Sequence, residues 1–154
     1  MRYQILLIGL LIPALAGCFG TKTNTVAVSG KVTYQGSPVE GAEVALIPAD
    51  PRSEAKAARG NTNAAGEFTV STYFSPQVDA AGARPGDYVV TVKKYEAPAG
   101  MTLEEWQVAQ MEGRPNVPPL RHLVPEKYNN AKNSGLSVTV EKGGDNHFVV
   151  ELVD

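Results

Sequence analysis

The chain has 154 residues, with 14 Lys and Arg against 16 Asp and Glu, a formal net charge of −2, 43% hydrophobic residues and one cysteine. That length suits one domain with its own core. The near-balanced charge, with no Lys/Arg cluster, argues against binding to nucleic acid or anionic headgroups. A lone thiol leaves no intrachain disulfide, so stability must come from burial.

In chain order, the first feature is a leader. Arg2 supplies a positive start, Ile5 to Ile12 a short apolar core, and Pro13 to Gly17 a zone of small residues. The apolar run is far shorter than the roughly 20 residues that span a bilayer, and Gly9 interrupts it. Leu15-Ala16-Gly17-Cys18 resembles the lipobox of bacterial lipoproteins. The resemblance implies a signal peptide over residues 1–17, a lipid on the Cys18 thiol and a membrane partner reached through that lipid. It also implies a place in the cell envelope. Because Phe19 stands where an inner-membrane retention aspartate would, the outer membrane is favoured. Residues 18–25 read as a short polar tether of roughly 15 Å.

From Val26 onward, period-two alternation recurs in short bursts separated by Gly, Pro and Asn. Val26, Val28, Val32 and Tyr34 share one face of a first strand, with Ser29, Lys31 and Thr33 on the other. Val44 and Leu46 mark a second strand, and 57–61 a weak third. Phe68, Val70 and Thr72 mark the next, entered through a tight turn at Asn63-Ala64-Ala65-Gly66. Pro85-Gly86 predicts a type II turn into Tyr88, Val90 and Val92. Leu136, Val138 and Val140 form another strand. Gly143 to Asn146 then turns the chain into Phe148, Val150 and Leu152. About seven short antiparallel strands point to an all-β sandwich spanning 26–154.

Residues 96–134 break the rhythm. Thr102-Leu103-Glu104-Glu105 predicts a capping box and a helix of about ten residues ending near Gly113. Pro115, Pro118, Pro119 and Pro125 then favour extended chain. Trp106, the only tryptophan, shares a helical face with Leu103. The helix is expected to cap an open end of the sandwich, or else to present a binding surface with Tyr95, Trp106 and Tyr128 as apolar platforms. Long insertions of this kind are usually functional or disordered.

Val28-x-Gly30-x-Val32, Gly36-x-Pro38-Val39-x-Gly41-Ala42-x-Val44, Gly60-x-Thr62-Asn63-x-x-Gly66-x-Phe68 and Pro85-Gly86-x-Tyr88-x-Val90-x-Val92 resemble carboxypeptidase-regulatory-like, or transthyretin-like, domains. Leu123-Val124-Pro125-x-Lys127-Tyr128 and Ser134-Gly135-Leu136-x-Val138-x-Val140 resemble the closing pattern of small lipoproteins built from that domain. The resemblance implies a seven-stranded, prealbumin-like (Ig-like) Greek-key sandwich. Such modules accompany many activities, so it implies no particular reaction.

Residues suited to carry chemistry are sparse. His122 and His147 are far apart in sequence and lack the Tyr and His-x-His company of a ferric site. Ser134-Gly135 is no nucleophile elbow, and the chain does not end in the Tyr-Arg-Gly-Ser of hydroxyisourate hydrolases. Glu104 and Glu105 suit a helix start. Asp145-Asn146 falls short of a calcium cage. Lys31 and Asn146 are the positional candidates for an isopeptide bond, although alternation points Lys31 to solvent. The expectation is therefore a protein with no reaction and no cofactor, working with an envelope protein partner or binding a glycan.

Overall fold

The computed structural model describes residues 23–154. The signal peptide over 1–17, the lipidation residue Cys18 and the tether up to residue 22 lie outside the described residues.

Among the described residues, twelve strand segments form where the alternation predicts about seven. β1 (Ser29–Tyr34) pairs along its whole length with β12 (His147–Leu152). Its other side meets β5 (Glu67–Thr69) near its start and β2 (Ser37–Pro38) near its end. The second sheet runs β11 (Ser137–Val140), β8 (Gly86–Lys93), β3 (Glu43–Pro48), β4 (Ala58–Asn61), β6 (Ser71–Ser75) and β7 (Val78–Ala81). A two-residue ribbon, β9 (Tyr95–Glu96) with β10 (Arg121–His122), brackets the helix α1 (Leu103–Met111).

Three expectations need correction. The sandwich is not wholly antiparallel, because β1 and β12, the first and last strands, run parallel. The run Phe68–Val70–Thr72 is not one strand. β5 belongs to the first sheet and β6 to the second, and the chain crosses between sheets at the buried Val70. Pro85-Gly86 does not make a type II turn. Gly86 has φ 149°, too extended for one, and is already the first residue of β8. The bend is closed instead by Tyr88, whose buried ring sends its hydroxyl 2.7 Å back to the Arg84 carbonyl. Alternation reports which side chains face inward, but it cannot see a strand changing sheets or a side chain standing in for a turn bond.

The core lies between the sheets. Val28, Val32, Phe68, Val150 and Leu152 from the first meet Val44, Leu46, Tyr88, Val90, Val92 and Val140 from the second. Most of the inward set expected from the sequence is here; Val26, Tyr34, Leu136, Val138 and Phe148 are only partly buried against it. Gly30 is required where Phe68 crosses beneath β1. A Cβ there would lie 2.3 Å from the Phe148 carbonyl oxygen and 2.6 Å from the Phe68 ring.

The turns follow their residue chemistry. Asn63 Oδ1 accepts from the amides of Ala65 and Glu67, both at 2.9 Å, and Gly66 sits at φ 76°. Asn146 holds the β11–β12 turn, accepting from the Glu141 amide at 2.8 Å and donating to the Glu141 and Gly144 carbonyls.

Candidate functional site

β8 fixes the arrangement of the molecule. At its start, Arg84 gathers the incoming chain. Its Nε donates to the Thr23 carbonyl and its Nη1 to the Glu54 carbonyl, each at 2.9 Å, while its guanidinium lies 5.0 Å over the Phe74 ring. The end of the expected tether, Thr23 to Thr25, is therefore held against the sandwich. At the other end of β8, seven steps of about 3.3 Å away, the chain leaves Lys93 for the insertion.

There the helix forms as its residues dictate. The Thr102 hydroxyl accepts from the Glu105 amide at 3.1 Å, and the Glu105 carboxylate accepts from the Thr102 amide at 2.7 Å. Those bonds hold the Glu105 carboxyl below its ordinary value. α1 ends at Glu112, and Gly113 has φ 66°. The extended proline-rich return is tied back when Trp106 Nε1 donates to the Pro118 carbonyl at 2.8 Å.

Between α1 and the outward side of β3 and β8 lies an open groove of about 460 Å³, lined by Glu43, Lys93, Tyr95, Leu103, Trp106 and Leu120 among others. Further along the same outward side, Ala45 and Thr91 are paired neighbours and are buried like core residues. The insertion thus meets the sheet on its outward side where β3 begins and β8 ends. Tyr95 stands edge-on to His122, with ring centroids 5.0 Å apart at 75°. Its hydroxyl pKa is raised, first by burial and then by the charges of Glu43 and Glu126.

Of the three aromatic candidates, the structure brings together Tyr95 and Trp106 but not Tyr128. Tyr128 is 3% exposed and belongs to the core. Its hydroxyl donates to the Val153 carbonyl and accepts from the Val153 amide, both at 3.0 Å. Sequence reading passed over Leu120, Lys93 and Lys94, which also line the groove. The lysines carry a faint signal, as two consecutive charges closing an apolar strand. Leu120 carries none, since only the return of the insertion puts it there.

The polar groups weighed for chemistry have hydrogen-bond partners within the fold. Ser134 is buried and donates to the Val90 carbonyl while accepting from the Leu136 amide. His147 Nδ1 lies 3.0 Å from the Ser29 hydroxyl, and His122 Nδ1 lies 2.8 Å from the Asn129 amide nitrogen. The Asn146 amide, a candidate for isopeptide formation and for calcium, spends its oxygen and nitrogen on the β11–β12 turn. Among the described residues, no three His, Cys, Asp or Glu side chains are grouped to hold a metal ion, and no helix is long and apolar enough to cross a membrane. Comparison of the chain with protein-family models, with curated proteins and with solved structures gave no match.

Proposed function

We propose that this chain is a non-enzymatic lipoprotein of the cell envelope, anchored through a lipid on Cys18, whose β-sandwich is a structural or protein-interaction module. In this reading the sandwich is a prealbumin-like Greek-key domain of the carboxypeptidase-regulatory-like kind. The short or sheet-switching segments β2, β5 and β7 elaborate a seven-stranded frame. The observation that carries the reading is the placement of the two ends of β8. The segment leading to Cys18 is pinned at one end by Arg84, and the groove bearing Tyr95, Trp106, Leu103 and Leu120 opens at the other. A module built this way is attached at one pole and offers an apolar, partly charged recess at the opposite pole.

Two acyl chains at about 0.8 kcal/mol per buried CH2 hold a protein to a bilayer through its working life. Cys18→Ser therefore moves the protein from the membrane fraction to the soluble fraction in its native envelope. Unchanged fractionation of that variant would falsify the anchor. For the groove, Trp106→Ala is expected to abolish recovery of a defined envelope partner after crosslinking while leaving fractionation alone.

A second reading is favoured by one feature, the convergence of Tyr95 and Trp106 on a single groove. Aromatic platforms flanked by Glu43 and Lys93 suit a sugar ring, with stacking on its face and polar bonds to its hydroxyls. A glycan array probed with wild type and Trp106→Ala separates the two readings. Binding lost on substitution supports the sugar; blank arrays for both leave the protein partner.

A further inference from the structure

Two-stranded edges of sheets are sites where proteins pair, and native sequences usually blunt them with Pro, Lys or bulges. β12 carries none of these. His147-Phe148-Val149-Val150-Glu151-Leu152 has no Pro and no Lys, and its register against β1 runs unbroken over all six residues. Among the described residues, no strand pairs with its outer side.

The hydrogen-bond parity of that outer side can be read directly. Ser29 donates to the Asn146 carbonyl and Gln35 to the Leu152 carbonyl, so the even-numbered backbone groups face β1. The odd-numbered groups, at His147, Val149 and Glu151, face away. Val153 continues that outward row, and its amide and carbonyl are both taken by the Tyr128 hydroxyl. The edge is thus stoppered at one end and open over three residues. The odd side chains also lie on the solvent face, with Val149 73% exposed.

We infer that this edge pairs with the same edge of a second copy of the chain, antiparallel and two-fold symmetric about Val149. The sequence is self-complementary in that register. Val149 meets Val149, and His147 meets Glu151 on each side. His147 Nδ1 lies 3.0 Å from the Ser29 hydroxyl; in the tautomer where that hydroxyl donates, the ring proton sits on Nε2, a donor for the opposing Glu151 carboxylate. Six backbone bonds satisfy the three open residues of both copies. On the inner face Phe148, which is only partly buried against the core, gains the opposing Val150 as cover. The first sheets of the two copies become one continuous sheet, an isologous interface of the commonest symmetry.

The test is made on the full chain in detergent. Val149→Cys places two thiols on opposed residues with Cα atoms about 5.5 Å apart, within disulfide reach. Under mild oxidation it is expected to run mostly as a disulfide-linked dimer. Wild type, with Cys18 alone, and Met111→Cys, at a site 88% exposed on α1, set the background. Linkage of Val149→Cys no greater than that of Met111→Cys overturns the inference, as does linkage only to a different protein. By sedimentation, Glu151→Lys is expected to weaken the dimer about tenfold. Adding His147→Glu to it is expected to restore the wild-type affinity. A Glu151→Lys protein that dimerises as well as wild type overturns the register. All four side chains are exposed, so none of these changes disturbs the core.

Discussion

Tyr128 shows how one side chain can look like a ligand platform in sequence and act as a rivet in the fold. The Leu123-Val124-Pro125-x-Lys127-Tyr128 stretch runs into a 3-10 turn, Glu126–Asn129, which swings the ring into the core. Its hydroxyl then closes both backbone groups of Val153. Tyr128→Phe keeps the packing but leaves that amide and carbonyl without their partner. It is expected to lower stability by about 1 kcal/mol, read as a fall in the urea midpoint at unchanged slope. Tyr88 makes a comparable closure onto Arg84, and there the inward ring was legible from alternation while the destination of the hydroxyl was not. The difference is general. Period-two patterning reports the direction of a side chain from its own strand, whereas a bond to residues 4 or 25 positions away depends on tertiary placement. Arg84 is the extreme case, since nothing in the tripeptide Arg84-Pro85-Gly86 announces contacts to Thr23, Glu54 and Phe74.

Among the elements, α1 was the most legible because its start is written in local chemistry. The Thr102–Glu105 capping box predicted from four letters is present with both of its bonds. Its pH response follows from the sign of the shift. The Glu105 carboxyl titrates below its ordinary value of 4.5 in the folded protein. The stabilisation it gives is therefore whole above that ordinary value and is lost as pH falls through the lowered one. The Trp106 fluorescence and the amide protection of α1 are expected to decline together in that acidic window. Glu105→Gln should remove the carboxylate-specific part of the decline, and a wild-type transition surviving unchanged in this variant would assign it to another group. Asp154 adds a second acid-labile contact of the same sign, because bonds from Tyr34 and Gln35 hold its carboxyl down. Less legible was where α1 would rest. Its apolar residues are spread around its circumference, with Leu103, Val108 and Met111 exposed and Ala109 buried. No single stripe indicated the outer face of β3 and β8.

For the whole molecule, the two-layer sandwich and its inward residues followed from alternation and turn residues, but the pairing of the first strand with the last did not. Strands of similar composition carry no mark of their partner, and β12 could have closed antiparallel on β11 by simple hairpin logic. Instead it crosses to the other sheet. Pairing through β12 in a two-fold dimer would set the two Thr23 ends at opposite ends of the joined strands. Two lipid anchors would then reach one bilayer only with the strands lying along its surface. The β1–β12 register also makes the fold depend on the last strand. Removal of residues 147–154 exposes the whole outer edge of β1 and deletes Val150 and Leu152 from the core. The shortened chain is expected to lose cooperative unfolding and become fully protease-sensitive. Retained cooperative unfolding would show that the remaining strands suffice.

Joining the earliest strand to the latest also sets a timetable. During synthesis β1 has no lasting partner along the edge that β12 will occupy, and the ring closed by their pairing encloses nearly the entire domain. Loop closure of that size is slow, so the polypeptide stays loose and threadable until His147–Leu152 has been made. In the proposed envelope role, such postponement would keep the chain able to pass through a narrow export channel before it settles.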